Sequence, residues 1–105
     1  MIKTVVLIPE RDNAGRAFPR SAWTEFEMRL FAFGGWSRTR GVAGAWQDQG
    51  RISRDVSRRY EVALGSWGQL PAWLGLVRWA RTRFDQEALY IEVVGLPEVW
   101  TGKEP

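Results

Sequence analysis

Two long runs, Trp36 to Gln47 and Arg51 to Leu64, read as β-strands, and only Asp48-Gln49-Gly50 separates them. Strands joined so closely pair antiparallel, so the middle of the chain is one long β-hairpin. A three-residue connection ending in glycine suits a type I turn followed by a left-handed residue in a G1 bulge. That closure places Trp46 opposite Ile52, Gly44 opposite Arg54, Val42 opposite Val56, Arg40 opposite Arg58 and Arg38 opposite Tyr60. Strands of this length extend about 40 Å, against about 25 Å for the first strand of the chain, so the hairpin tip is expected to project beyond the domain as an arm.

The flanks supply the remaining elements. Ile2 to Ile8 is a β-branched run stopped by Pro9, which suits a central strand. After a polar loop, Ser21 is placed as the N-cap of a helix reaching Phe33, with Trp23, Phe26, Leu30 and Phe33 on one face and Gly34-Gly35 as its end. Leu70 to Phe84 reads as a second helix, with Pro71 tolerated in its first turn and a mostly apolar stripe of Leu70, Trp73, Leu74, Val77, Ala80, Arg81 and Phe84. Ala88 to Val94 is the last strand, closed by Gly95 and Pro97.

The order β-α-β-β-α-β is the ferredoxin-like, split βαβ arrangement: an α+β fold with a four-stranded antiparallel sheet and two helices on one face. A single domain is expected over 1–96, followed by a tail over 97–105. The opposite sheet face is expected to be bare, and a second copy of the chain would cover it, so a homo-oligomer, with a dimer as the favoured form, is the expected assembly.

Composition narrows the chemistry. The chain has 105 residues and carries no Cys and no His, which removes disulfides, thiolate nucleophiles, thiolate metal sites and the commonest general base. No catalytic residue, metal set or cofactor is assigned, because no nucleotide, metal or nucleophile motif is present and the carboxylates show no paired spacing. The start lacks the order of a cleavable signal and no run is long enough to span a membrane, so the expected location is the cytoplasm, with no membrane partner.

Arg makes up thirteen of the fifteen basic residues, and Trp seven of the fourteen aromatics. Arg offers a planar fork for carboxylate or phosphate and stacks on aromatic rings. The hairpin concentrates both types, so Arg38, Arg40, Arg54, Arg58, Trp36, Trp46 and Tyr60 are the candidate contacts for a partner or an anion. Like charges facing across a strand pair repel, so Arg40 opposite Arg58 calls for a negative group nearby. Asp48, Asp55, an acidic segment of a second copy or a bound anion would serve, and Glu87 is a candidate partner for Arg54 or Arg58. Helical spacing assigns Trp23 and Trp73 to the core, whereas Trp79 falls off its stripe and joins Trp36, Trp46 and Trp67 as a candidate for surface contact or for packing under Arg stems.

The segments Phe33-Gly34-Gly35-Trp36-Ser37, Gly44-Ala45-Trp46 with Gly50, Asp55-Val56-Ser57-Arg58-Arg59-Tyr60-Glu61-Val62, and Phe84-Asp85-Gln86-Glu87-Ala88 resemble a group of small uncharacterised bacterial proteins. The resemblance spans most of the chain and implies no activity, substrate or catalytic residue.

Three functions fit this reading. The first is a non-enzymatic, self-associating interaction or regulatory domain. The second is a nucleic-acid-binding protein using the Arg-rich hairpin, which the modest net charge of +3 and the lack of an RRM signature disfavour. The third is a cofactor-independent small-molecule enzyme of the dimeric α+β barrel type, a fold-level analogy that requires a pocket lined by Trp with carboxylate or Arg.

Overall fold

A computed structural model describes residues 1–94 and 96–100, with Asp48 and the segment 96–100 described by their backbone alone. Its elements are β1 (Ile2–Pro9), α1 (Arg20–Leu30), β2 (Ser37–Asp48), β3 (Arg51–Leu64), α2 (Leu70–Arg83), β4 (Leu89–Val93) and β5 (Leu96–Trp100). One sheet runs in the order β2-β3-β1-β4-β5, and every neighbouring pair is antiparallel. The first four strands with α1 and α2 are the ferredoxin-like α+β fold expected from the sequence.

Alternation along β1 explains the layer structure. Ile2, Thr4, Val6 and Ile8 point to the helices and are buried. They meet Trp23, Phe26 and Leu30 of α1 and Trp73, Val77 and Ala80 of α2, which recur at helical spacing on the inward faces. Phe84, just past α2, sits with its ring 4.6 Å from Trp23 and edge-on to Phe26. Truncating a fully buried aromatic such as Phe26 to Ala costs about 3–5 kcal/mol in a core of this kind. Thr4, the buried polar residue of β1, is satisfied because its hydroxyl donates to the Val62 carbonyl at 2.7 Å.

Several boundaries differ from expectation. Ser21 does not cap α1: the helix begins at Arg20, Pro19 occupies the N-cap with φ −62° and ψ 148°, and no side chain caps it. After Leu30 the chain tightens into a 3₁₀ turn over Phe31–Phe33, which Gly34 ends at φ 101°. Segment 96–100, expected at the domain end and in the tail, instead pairs with β4 from Leu89↔Trp100 to Val93↔Leu96 as a fifth strand. Pro97 had marked a stop, but an edge strand tolerates proline because one row of its amides has no partner strand. Residues 101–105 of the expected tail lie outside the described residues.

The hairpin departs most. Its turn has two residues rather than three: Asp48 pairs with Arg51, and Gln49 and Gly50 both have positive φ, 52° and 78°, the signature of a type I′ turn. The pairing from Asp48↔Arg51 to Val42↔Ser57 is therefore one residue away from the expected register. Between Thr39 and Val42 a β-bulge, with Gly41 at φ 69°, absorbs the difference, and Arg38↔Tyr60 and Ser37↔Glu61 pair as expected.

A one-residue slip exchanges the two faces of a strand. Trp46, expected opposite Ile52, stands opposite Ser53 on the face away from the helices. There it meets Tyr90 of β4, with ring centroids 5.9 Å apart. That sheet face is consequently not bare: Val5, which points to it, is only 1% exposed.

Candidate functional site

A cleft of about 1240 Å³ opens where the β1–α1 loop, the first turns of α1 and the helix-facing side of the hairpin meet. Each wall follows from strand parity or helix period. Glu10 continues the inward-facing even positions of β1, and its backbone N–H donates to the Val56 carbonyl at 2.8 Å, extending that pairing beyond Pro9. Trp23 and Glu27 are one helical turn apart on α1, so Glu27 lies at the flank of the buried stripe. From β3, Arg54, Val56 and Arg58 share the parity of buried Tyr60 and face the same space.

The floor of the cleft is a charge network. Glu27 accepts a hydrogen bond from Arg38 at 2.6 Å through Oε2 and another at 2.6 Å from the Tyr60 hydroxyl. Arg58 approaches the same oxygen at 4.0 Å and Glu10 Oε1 at 3.8 Å, while its guanidinium lies 4.0 Å above the Trp23 ring. Glu10 accepts with its other oxygen from the Gly41 N–H at 3.0 Å, which ties the bulge of β2 to the cleft. The Nε of Arg58 is buried and has no hydrogen-bond partner among the described residues. Burial, followed by the bond to Glu27, pushes the Tyr60 phenol well above its ordinary range. The Arg38 guanidinium is likewise raised, chiefly by its bond to Glu27.

The structure gathers most of the residues singled out in the sequence. Arg38, Arg40, Arg54, Asp55 and Arg58 line the cleft. Tyr60 is buried beneath it, and Trp36 stands beside it, 6.0 Å from Tyr60 and 5.5 Å from the Arg38 guanidinium. Trp46 is not part of this constellation, because the bulge turns it to the other face. The acids balancing Arg58 are Glu10 and Glu27, not Glu87, which is exposed and forms no ion pair among the described residues. Asp55 lies across from Gly44 and also lines the cleft. Trp79 packs under Arg29 at 4.0 Å, one of the two roles open to it from its spacing.

Glu10 and Glu27 are the site residues that sequence reasoning missed. Both were discoverable: Glu10 from the even parity of β1, and Glu27 from its position four residues after a core Trp. Among the described residues no three side chains of metal-ligating type come together as a donor set. Nor is any described helix long and apolar enough to cross a membrane.

These features define an antiparallel α+β domain with a polar cleft of mixed charge at one end of its sheet. No protein-family model and no curated protein matches the chain. Among solved structures it is similar to a phage SAM lyase in complex with S-methyl-5'-thioadenosine, with 13% identity and a TM-score of 0.63, and to a phage SAM lyase in the apo state, with 14% identity and a TM-score of 0.64. Each match covers 94% of this chain and 86% of the other. At that identity the likeness is one of fold.

Proposed function

We propose that the chain is a cofactor-independent enzyme that cleaves a sulfonium nucleoside of the S-adenosylmethionine type within this cleft. The observation that carries the reading is the wall chemistry: carboxylates and arginines of both signs converge beside Trp23, in a fold shared with a lyase that holds S-methyl-5'-thioadenosine. S-adenosylmethionine joins a nucleoside to a zwitterionic amino acid through a positively charged sulfur, and a ligand bearing both signs is best held by walls bearing both.

The chemistry is compatible with a chain that has no Cys and no His. The substrate's own carboxylate can attack Cγ: a C–O bond forms, the Cγ–S bond breaks, and the electron pair returns to sulfur, leaving methylthioadenosine and a five-membered lactone. No external base, oxidant or co-reactant enters the balance. The protein's part is to position the chain and shelter it from water.

Incubation of the protein with S-adenosylmethionine, followed by chromatography, tests the reading. Methylthioadenosine accumulating in proportion to protein is the expected result. No product, together with no binding of methylthioadenosine, overturns it.

A second observation favours self-association through the hairpin. Ile52 and Val56, on the cleft side of β3, are 63% and 48% exposed and share one strand face, apolar surface that a second copy would cover. Light scattering showing a dimer or larger species supports it, and a monomer at high micromolar concentration removes it. Nucleic-acid binding draws less support, because Glu10 and Glu27 already engage Arg58 and Glu27 engages Arg38, two of the arginines it would use.

A further inference from the structure

We propose that Arg40 and Arg54 form a carboxylate-binding subsite in the cleft, which holds the amino-acid end of the ligand; the inference rests on the reading of the cleft as a sulfonium-nucleoside site.

The charges of the cleft wall support this division. Arg38 and Arg58 are taken up by Glu27 and Glu10. Asp12 is used within its own loop, accepting from the Ala14 and Arg16 backbone N–H groups at 2.9 Å and standing 3.5 Å from Arg16 Nε, and Arg11 donates to the Gly15 carbonyl at 3.1 Å. Arg40 and Arg54 also line the cleft, yet neither has a carboxylate within ion-pair distance among the described residues. Arg40 reaches it from the bulge of β2 and Arg54 from β3, so the two enter from different strands of the hairpin. The first turn of α1 contributes Arg20 to the same wall; it contains no acidic residue and no side-chain cap, so its amides add positive potential.

A guanidinium group left without a carboxylate beside a neutralised floor selects a planar anion, because its N–H donors match a carboxylate in geometry and charge. A carboxylate held there would be fixed in orientation relative to the sulfur, the geometry that intramolecular attack requires. Both arginines are exposed. Replacing them therefore removes the subsite without opening the core.

The test is isothermal calorimetry on the wild type and on the double variant Arg40→Gln/Arg54→Gln, with circular dichroism as a check on folding. The probes are methylthioadenosine, which lacks the amino-acid end; S-adenosylhomocysteine, which has it but no sulfonium to cleave; and the carboxamide of S-adenosylhomocysteine. The double variant is expected to bind S-adenosylhomocysteine roughly tenfold to a hundredfold more weakly, the loss of hydrogen bonds to a charged group. Methylthioadenosine binding stays unchanged, and the wild type discriminates against the carboxamide by a similar factor. Unchanged S-adenosylhomocysteine affinity in a variant that still binds methylthioadenosine overturns the subsite alone. A wild type that binds none of the three overturns the subsite and the sulfonium-nucleoside reading together.

Discussion

Trp46 of β2 packs its ring 5.9 Å from that of Tyr90 of β4, although β3 and β1 lie between their strands in the sheet. The contact requires the hairpin to turn toward the face opposite the helices, and the bulge at Gly41 puts Trp46 on that side. Aromatic pairs contribute about 0.5–1.5 kcal/mol beyond their burial. A double-mutant cycle of Trp46→Ala and Tyr90→Ala, followed by urea unfolding, is expected to give a coupling of about 0.5–1 kcal/mol, at the low end because Trp46 remains 41% exposed. Strict additivity would show that the rings are not energetically coupled.

Glu27 serves Tyr60, Arg38 and Arg58 at once. Glu27→Gln keeps the shape and removes the charge, leaving the partly buried Arg38 without its counter-ion and Arg58 with Glu10 alone. A loss of about 2 kcal/mol is expected, below the full cost of breaking a buried pair because water still reaches these groups. Chemical denaturation measures it, and a change under 0.5 kcal/mol would contradict the network.

Tyr60 makes stability depend on alkaline pH. Its folded-state pKa is raised, so the unfolded chain releases this proton first, near pH 10, and above that pH the unfolded state binds fewer protons than the native one. Stability contributed by the neutral phenol is complete below pH 10 and declines as pH rises further. Tyr60→Phe is expected to flatten this decline while costing about 1 kcal/mol at pH 7 for the lost hydrogen bond to Glu27. Denaturation midpoints at pH 8, 10 and 11 check both.

Gln49 and Val94 hold positive φ, 52° and 55°, a region where side chains other than Asn and Asp are strained. Gln49→Asn suits the type I′ turn and is expected to raise stability by about 0.5–1 kcal/mol, and Val94→Asn by about 1 kcal/mol, because a β-branched residue fares worst there. Thermal unfolding of the two variants and their combination reads this directly. A lowered melting temperature in either would show that the native backbone does not hold that conformation.

Along the chain, legibility depended on whether a signal was local. Strand β1, the apolar stripes of both helices, Gly34 as a helix stop and the hairpin itself follow from periodicities of two and 3.6 and from glycine chemistry, which act within a few residues. The register of the arm did not follow. Asp48-Gln49-Gly50 is consistent with both a two-residue and a three-residue turn, and the choice moves the β2 residues between the bulge and the turn, Trp46 among them, to the opposite face. The fifth strand was concealed in the same way, since Pro97 ends a central strand yet is accepted at an edge.

The sequence by itself determined the order of the elements from β1 to β4, the helix-facing core, and the concentration of arginine on the hairpin, because each depends on residue type and spacing. Only the tertiary structure decided what those arginines meet. Glu10 and Glu27 come to Arg58 and Arg38 from separate elements, brought together by the packing of α1 on the sheet and by the parity of β1. No local rule links positions so far apart in the chain. The same packing leaves Arg40 and Arg54 facing an open cleft, and turns an unexplained surplus of one residue type into a division between arginines paired with carboxylates and arginines that have none within ion-pair distance among the described residues.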